Sequence, residues 1–188
     1  DVARRLLHGP ARLMPSVIVN IESRCVVDDE GCERNLRSVL ARNLPWCKPG
    51  SERAERLAIV ASGPSVADFL DEISAHDQIW AVNGAYDYLI ARGIAVDGFF
   101  GSDPLPGLAA YVRNVRTTAY LSAYCDDAVF TAVKCDVQVW IPHRLEVAPD
   151  NLPEGIETIQ GGTTALTRAP FLAQYLGFRD MTLFGADS

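Results

Sequence analysis

Leu57-Ala58-Ile59-Val60-Ala61-Ser62-Gly63-Pro64-Ser65 is the stretch on which the reading of this chain turns. Five small or branched apolar residues run into an abrupt Gly-Pro break. Val66, Phe69, Leu70 and Ile73 then recur at spacings of three, four and seven. The pattern predicts a buried strand, a tight turn and an amphipathic helix, the opening of a βαβ unit. The turn also has a chemical use. Gly63 lets a ligand approach the backbone, Pro64 gives up no needed donor at a helix start, and Ser65 offers a hydroxyl beside free N–H groups. Such a corner suits a phosphate. A local alternative needs no ligand, because Ser65 and Asp68 form Ser-x-x-Asp, close to a capping box.

The same rhythm continues down the chain. Gln78–Val82 ends at Asn83-Gly84, and a helix from Ala85 to Arg92 stops at Gly93, a natural C′ residue. A strand Gly98–Ser102 ends at Asp103-Pro104. Helices near Leu108–Arg113 and Asp127–Ala132 alternate with strands Ala119–Ser122 and Val137–Ile141. After His143-Arg144 and a Pro- and Asp-rich loop over 146–155, Gly161-Gly162-Thr163-Thr164 opens a helix ending near Leu176-Gly177, with Pro170 placed to distort it. A strand Met181–Phe184 and Gly185-Ala186-Asp187 follow. Strands alternating with helices predict an α/β chain, a Rossmann-like, doubly wound and mainly parallel sheet. The preceding segment reads as a helical arm and linker over residues 1–56, with a helix around Ala3–Met14, a strand Ser16–Ile21 and a basic helix Glu33–Asn43. Pro45, Pro49 and Gly50 mark the linker, where Trp46 plugs a hydrophobic groove. Residues 57–188 then read as a Rossmann-like domain, expected on the phosphate-suited turn above to bind a nucleotide.

Composition narrows the classes. A chain of 188 residues, 48% hydrophobic, can bury one sizeable core. Its net charge of −7 argues against nucleic acid as a partner. The charge is uneven: residues 1–56 carry ten basic against eight acidic side chains, the remainder seven against sixteen. The arm therefore reads as a basic docking surface on an acidic body. Five cysteines, without Cys-x-x-Cys and with three histidines, disfavour zinc and exclude complete internal pairing, which reads as reduced thiols in a cytoplasmic protein. No apolar run reaches membrane-span length and no signal peptide is visible. A start at Asp1 without methionine and a stop just after a strand make both ends read as cropped.

In an open α/β sheet, ligands bind beyond the carboxyl ends of the strands. The polar residues there are Ser62 to Ser65, Asn83, Asp103, Ser122, His143 and Asp187, joined by the Gly161–Thr164 loop. Each has a local alternative: a turn at Asn83-Gly84, an Asx turn at Asp103, a structural or surface role for His143, and helix capping at Asp187 and Gly161–Thr164. Two glycine-rich helix entries with two carboxylates suit a nucleotide and a divalent metal. The spacing fits neither a Walker loop nor Gly-x-Gly-x-x-Gly.

The ordered series Ala61-Ser62-Gly63-Pro64-Ser65, Ala81-Val82-Asn83-Gly84, Gly93-Ile94 with Asp97, and Ser102-Asp103 resembles a bacterial, archaeal and phage family. That family is named for the archaeal 6-hydroxymethylpterin diphosphokinase and includes the motility accessory factors that glycosylate flagellin. Gly161-Gly162-Thr163-Thr164, Leu176-Gly177-Phe178 and Leu183-Phe184-Gly185-Ala186-Asp187 look like its second signature, and the arm Asn35–Pro45 is similar to that of phage-type members. Both signatures also resemble bacterial sialyltransferases that use CMP-sialic acid. The resemblance covers about residues 30–188. It implies a nucleotide-dependent transferase in which Ser62, Gly63, Pro64, Ser65, Asn83 and Gly161–Thr164 hold a nucleoside phosphate or nucleotide sugar. Asp103 and Asp187 would bind Mg²⁺ or orient the acceptor. The sialyltransferase catalytic histidine lies beyond the second signature, which leaves His143 as a substitute by position. Ser62 departs mildly from the Gly, Ala or Asn of many relatives. Glycosyl transfer from a nucleotide sugar is the leading expectation. Mg²⁺-ATP-dependent diphosphoryl transfer to a hydroxymethyl group is the second, and a non-catalytic nucleotide-binding or phage assembly module the third. Acceptor and oligomeric state have no signature in the sequence.

Overall fold

In a computed structural model of the chain, the described residues are 27–143 and 152–187. The expected helix Ala3–Met14, the strand Ser16–Ile21, Cys25, Arg144 and most of the 146–155 loop lie outside them. The elements are α1 (Asp29–Ala41), β1 (Arg53–Val60), α2 (Leu70–Ser74), β2 (Gln78–Val82), α3 (Ala85–Ile90), β3 (Gly98–Gly101), α4 (Ala109–Val112) and β4 (Thr118–Ser122). They continue with α5 (Asp127–Ala132), β5 (Val137–Pro142), β6 (Thr158–Ile159), α6 (Ala165–Tyr175) and β7 (Phe178–Phe184). Single 3₁₀ segments, Pro64–Asp68 and Pro106–Leu108, precede α2 and α4.

The seven strands form one sheet in the order β6-β5-β4-β3-β2-β1-β7, every neighbouring pair parallel. This is the Rossmann-like α/β arrangement the alternation predicts. The chain walks outward from β1 to β6, then returns through α6 to place β7 on the other flank of β1.

Two cores follow from the two-residue period of a strand. Ala58, Val60, Ala81, Phe99, Leu121 and Val139 face one side, together with Val66 and Ile73, Leu89 of α3, Val129 of α5 and Cys32, Leu36 and Val39 of α1. Leu57, Ile59, Trp80, Phe100 and Trp140 face the other and meet Ala169, Leu172 and Ala173 of α6. The described part of the arm thus contributes to the same core as the sheet. Asp28 caps α1 by accepting from the Gly31 N–H at 2.8 Å. Trp46 bridges alongside Val139 of β5 and packs half-buried against the core, the plugging role expected of it.

Several local expectations change. The helix after Ser65 is not continuous, because the backbone breaks at Phe69 (φ −119°) between the 3₁₀ turn and α2, leaving Phe69 exposed. The Ser65–Asp68 capping box does not form; Gly63 stands at the cap position with no side-chain bond. α6 runs through Pro170 without ending. The two-residue strand β6, too short for a periodicity to register, was not legible. Gly93 behaves as predicted: at φ +75° it closes α3, with Gly93 N–H donating to the Ile90 carbonyl and Ile94 N–H to that of Leu89.

Candidate functional site

Two neighbouring cavities open at the carboxyl ends of β1, β2 and β3. The first, about 330 Å³, is lined by Ala61, Ser62, Gly63, Pro64, Val66, Gly84, Ala85 and Tyr88. The second, about 490 Å³, is lined by Asn83, Asp103, Leu105, Pro106, Gly107, Leu108 and Tyr111. The Asn83-Gly84 turn divides them. Of the residues expected at the site, Ser62, Gly63, Pro64, Asn83 and Asp103 are therefore brought together.

Asn83 carries the most tension. It sits at φ +51°, a left-handed conformation uncommon outside glycine. Its side-chain oxygen is buried and has no hydrogen-bond partner. A buried acceptor left open costs about 1–3 kcal/mol, and this one belongs to a residue that lines the second cavity. Asp103 closes the Asx turn anticipated for it, its Oδ1 accepting from the Leu105 N–H at 2.9 Å. That corner is held from the arm. Asn35 of α1, 5% exposed, donates through Nδ2 to the Pro104 carbonyl at 3.4 Å and the Tyr124 carbonyl at 3.0 Å.

Ser65 is engaged otherwise. Its N–H donates to Asp187 Oδ2 at 3.1 Å and its hydroxyl to Oδ1 at 2.6 Å. The chain's own carboxylate occupies the corner proposed for a phosphate. A Cβ on Gly63 would collide with this carboxylate and stand 2.6 Å from the Gly185 carbonyl, so Gly63 is needed for the β1–β7 closure rather than for ligand space. The Ser65 hydroxyl, more than any other group, holds the Asp187 carboxyl below its usual range. A depressed folded-state pKa makes the contribution of this contact complete above the ordinary carboxylate range and lost as pH falls through the folded value. We expect the difference in melting temperature between the unaltered chain and Asp187→Asn to shrink from pH 6 to pH 3; a constant difference would remove the carboxylate from the latch.

Asp103 and Asp187 were expected to bind Mg²⁺ or orient the acceptor. They end strands three positions apart in the sheet, about 14 Å at the usual strand spacing, and Asp187 spends both oxygens on Ser65. Among the described residues no cluster of three or more His, Cys, Asp or Glu could hold a metal. The pair does not fit a common ion. His143 lines neither cavity: it ends β5, two positions or about 10 Å from β3, and its Nδ1 lies 3.1 Å from Thr158 Oγ1 on β6. Gly161 to Thr164 line neither cavity. Thr164 and Thr167 form a reciprocal capping box, and Arg168 Nε donates to the Gly162 carbonyl at 2.6 Å, so this loop satisfies its own helix start.

Tyr88 and Tyr111 were missed at the sequence level. Both fall within helical stretches, where an aromatic residue reads as core. Tyr88 carries the Arg92 guanidinium 3.4 Å from its ring centroid. Among the described residues no Lys or Arg lines either cavity. Cys47, Cys125 and Cys135 are free thiols, and burial pushes Cys47 up to about 12, so it is no nucleophile near neutrality. No helix among the described residues is long and apolar enough to cross a membrane.

A scan against protein-family models and a search of curated protein sequences found no match. Among solved structures, the chain is similar to a MAf glycosyltransferase from Magnetospirillum magneticum AMB-1, with 21% sequence identity and a TM-score of 0.62. The match covers 83% of this chain and 27% of that one. The chain thus spans about a quarter of the length of that protein, and the likeness is one of fold.

Proposed function

We propose that this chain is the nucleotide-binding part of a glycosyltransferase that draws its sugar from a nucleotide donor, in the family of the motility accessory factors. The observation that carries the reading is the unfilled, buried oxygen of Asn83 at the wall of a cavity beyond the carboxyl ends of β2 and β3. The likeness in fold to a MAf glycosyltransferase supports it. Asn83 accepts from an N–H or hydroxyl of the nucleotide. Asp103, positioned by Leu105 and the Asn35 clamp, accepts from a hydroxyl of donor or acceptor. Ser62, Gly63 and Pro64 wall the adjoining cavity, where the leaving phosphate's charge meets hydroxyl and backbone dipoles rather than lysine or arginine. Diphosphoryl transfer needs metal to spread charge on the transferring phosphates, which the separated carboxylates do not favour.

The test is thermal melting of the full chain with CMP, CDP, UDP and ATP, each with Mg²⁺ and with chelator. A ligand at a hundred times its Kd stabilises by about 2.7 kcal/mol, which moves the midpoint of a domain this size by roughly 5–10 °C. A response to a pyrimidine nucleotide that survives chelation is expected. A response only to Mg²⁺-ATP would replace the reading with diphosphoryl transfer, and silence from a folded chain with an assembly module.

A further inference from the structure

We infer that Tyr111 is the plate on which the base of the donor nucleotide stacks, with Asn83 meeting the edge of that base; the inference rests on the nucleotide-donor reading above. Tyr111 is 45% exposed in α4, whereas Trp80, Trp140, Phe99 and Phe100 are buried in the two cores. Among the described residues its ring takes part in none of the aromatic pairs and no guanidinium covers it. It lines the second cavity with Asn83 and Asp103.

Gly84 fixes the plate. A Cβ there would stand 3.2 Å from Tyr111 Cε1 and 3.7 Å from Cδ1, so the ring lies against the turn that carries Asn83 and a side chain at Gly84 would push it back by a few tenths of an ångström. An open ring and an adjacent unfilled acceptor together select the ligand class. A nucleobase offers a π-face for stacking and in-plane N–H donors, the amino group of cytosine or adenine or the ring N–H of uracil. A bare phosphate would meet the Asp103 carboxylate with no cation on the wall. An aliphatic ligand would leave the Asn83 oxygen open.

The experiment is titration calorimetry of the full chain with CMP, UMP, AMP and ribose 5-phosphate, the last lacking a base. Tyr111→Leu should weaken binding of the preferred nucleotide roughly ten- to a hundredfold, the range for loss of one base–aromatic stack. Tyr111→Phe should bind like the unaltered chain, and neither change should move the ligand-free melting temperature of so exposed a residue. Gly84→Ala, which crowds the ring, should also weaken the nucleotide. Undiminished nucleotide binding by Tyr111→Leu, or equal binding of nucleotide and ribose 5-phosphate by the unaltered chain, overturns the inference and leaves the donor reading standing. An unaltered, folded chain that binds none of the nucleotides overturns both.

Discussion

Gly185→Ala lowers the stability of the fold by about 2–5 kcal/mol. Gly185 follows β7 at φ +67°, where a side chain costs about 1–2 kcal/mol through contact with its own carbonyl. The new methyl would also stand 2.5 Å from Val66 Cγ2 and 2.7 Å from the Ala61 carbonyl, an overpacking worth about 1–3 kcal/mol. Gly93 supplies the control. It has φ +75° but nothing within 4 Å of an added Cβ, so Gly93→Ala should cost only the backbone part. Urea midpoints of the two variants separate crowding from conformation. Equal losses would mean that the closure between the ends of β1 and β7 is looser than described.

Asn83→Gly pulls stability and binding apart. Removing the side chain relieves a left-handed non-glycine residue and deletes an acceptor buried without a partner. Against this stands the entropy of a new glycine, about 0.5–1 kcal/mol. The expected net is a fold unchanged or up to about 1 kcal/mol more stable, with nucleotide affinity reduced tenfold or more. Such an opposition is the mark of a residue kept for its ligand at the expense of the fold. A variant that melts lower and binds as before would assign the Asn83 oxygen to the structure instead.

The strength of local patterns explains what was legible beforehand. The apolar run at Leu57–Ala61, the Gly-Pro break, the C′ glycine at 93 and the strand–helix alternation all operate within one element and its neighbours. They were enough for a parallel α/β sheet, and for placing Ser62, Gly63, Pro64, Asn83 and Asp103 at its carboxyl edge, since parallel strands all point the same way. The break of the predicted helix at Phe69 lay beyond them. Apolar spacing reports which face is buried, and Val66 and Ile73 stay buried on either side of the break.

The sequence by itself determined the class of fold and the small set of polar residues at the carboxyl ends of the strands, because periodicity and turn chemistry are local. Strand order was left to the tertiary structure. Only it sends Asp187 onto Ser65 across 122 residues, sets His143 beside Thr158 of β6, parts Asp103 from Asp187, and lets Asn35 of the arm clamp the Asp103 corner from 69 residues away. It also turns Tyr111 outward over Gly84. These contacts depend on which strands lie side by side. A two- or 3.6-residue period carries no record of that, because every ordering of the same strands buries the same faces.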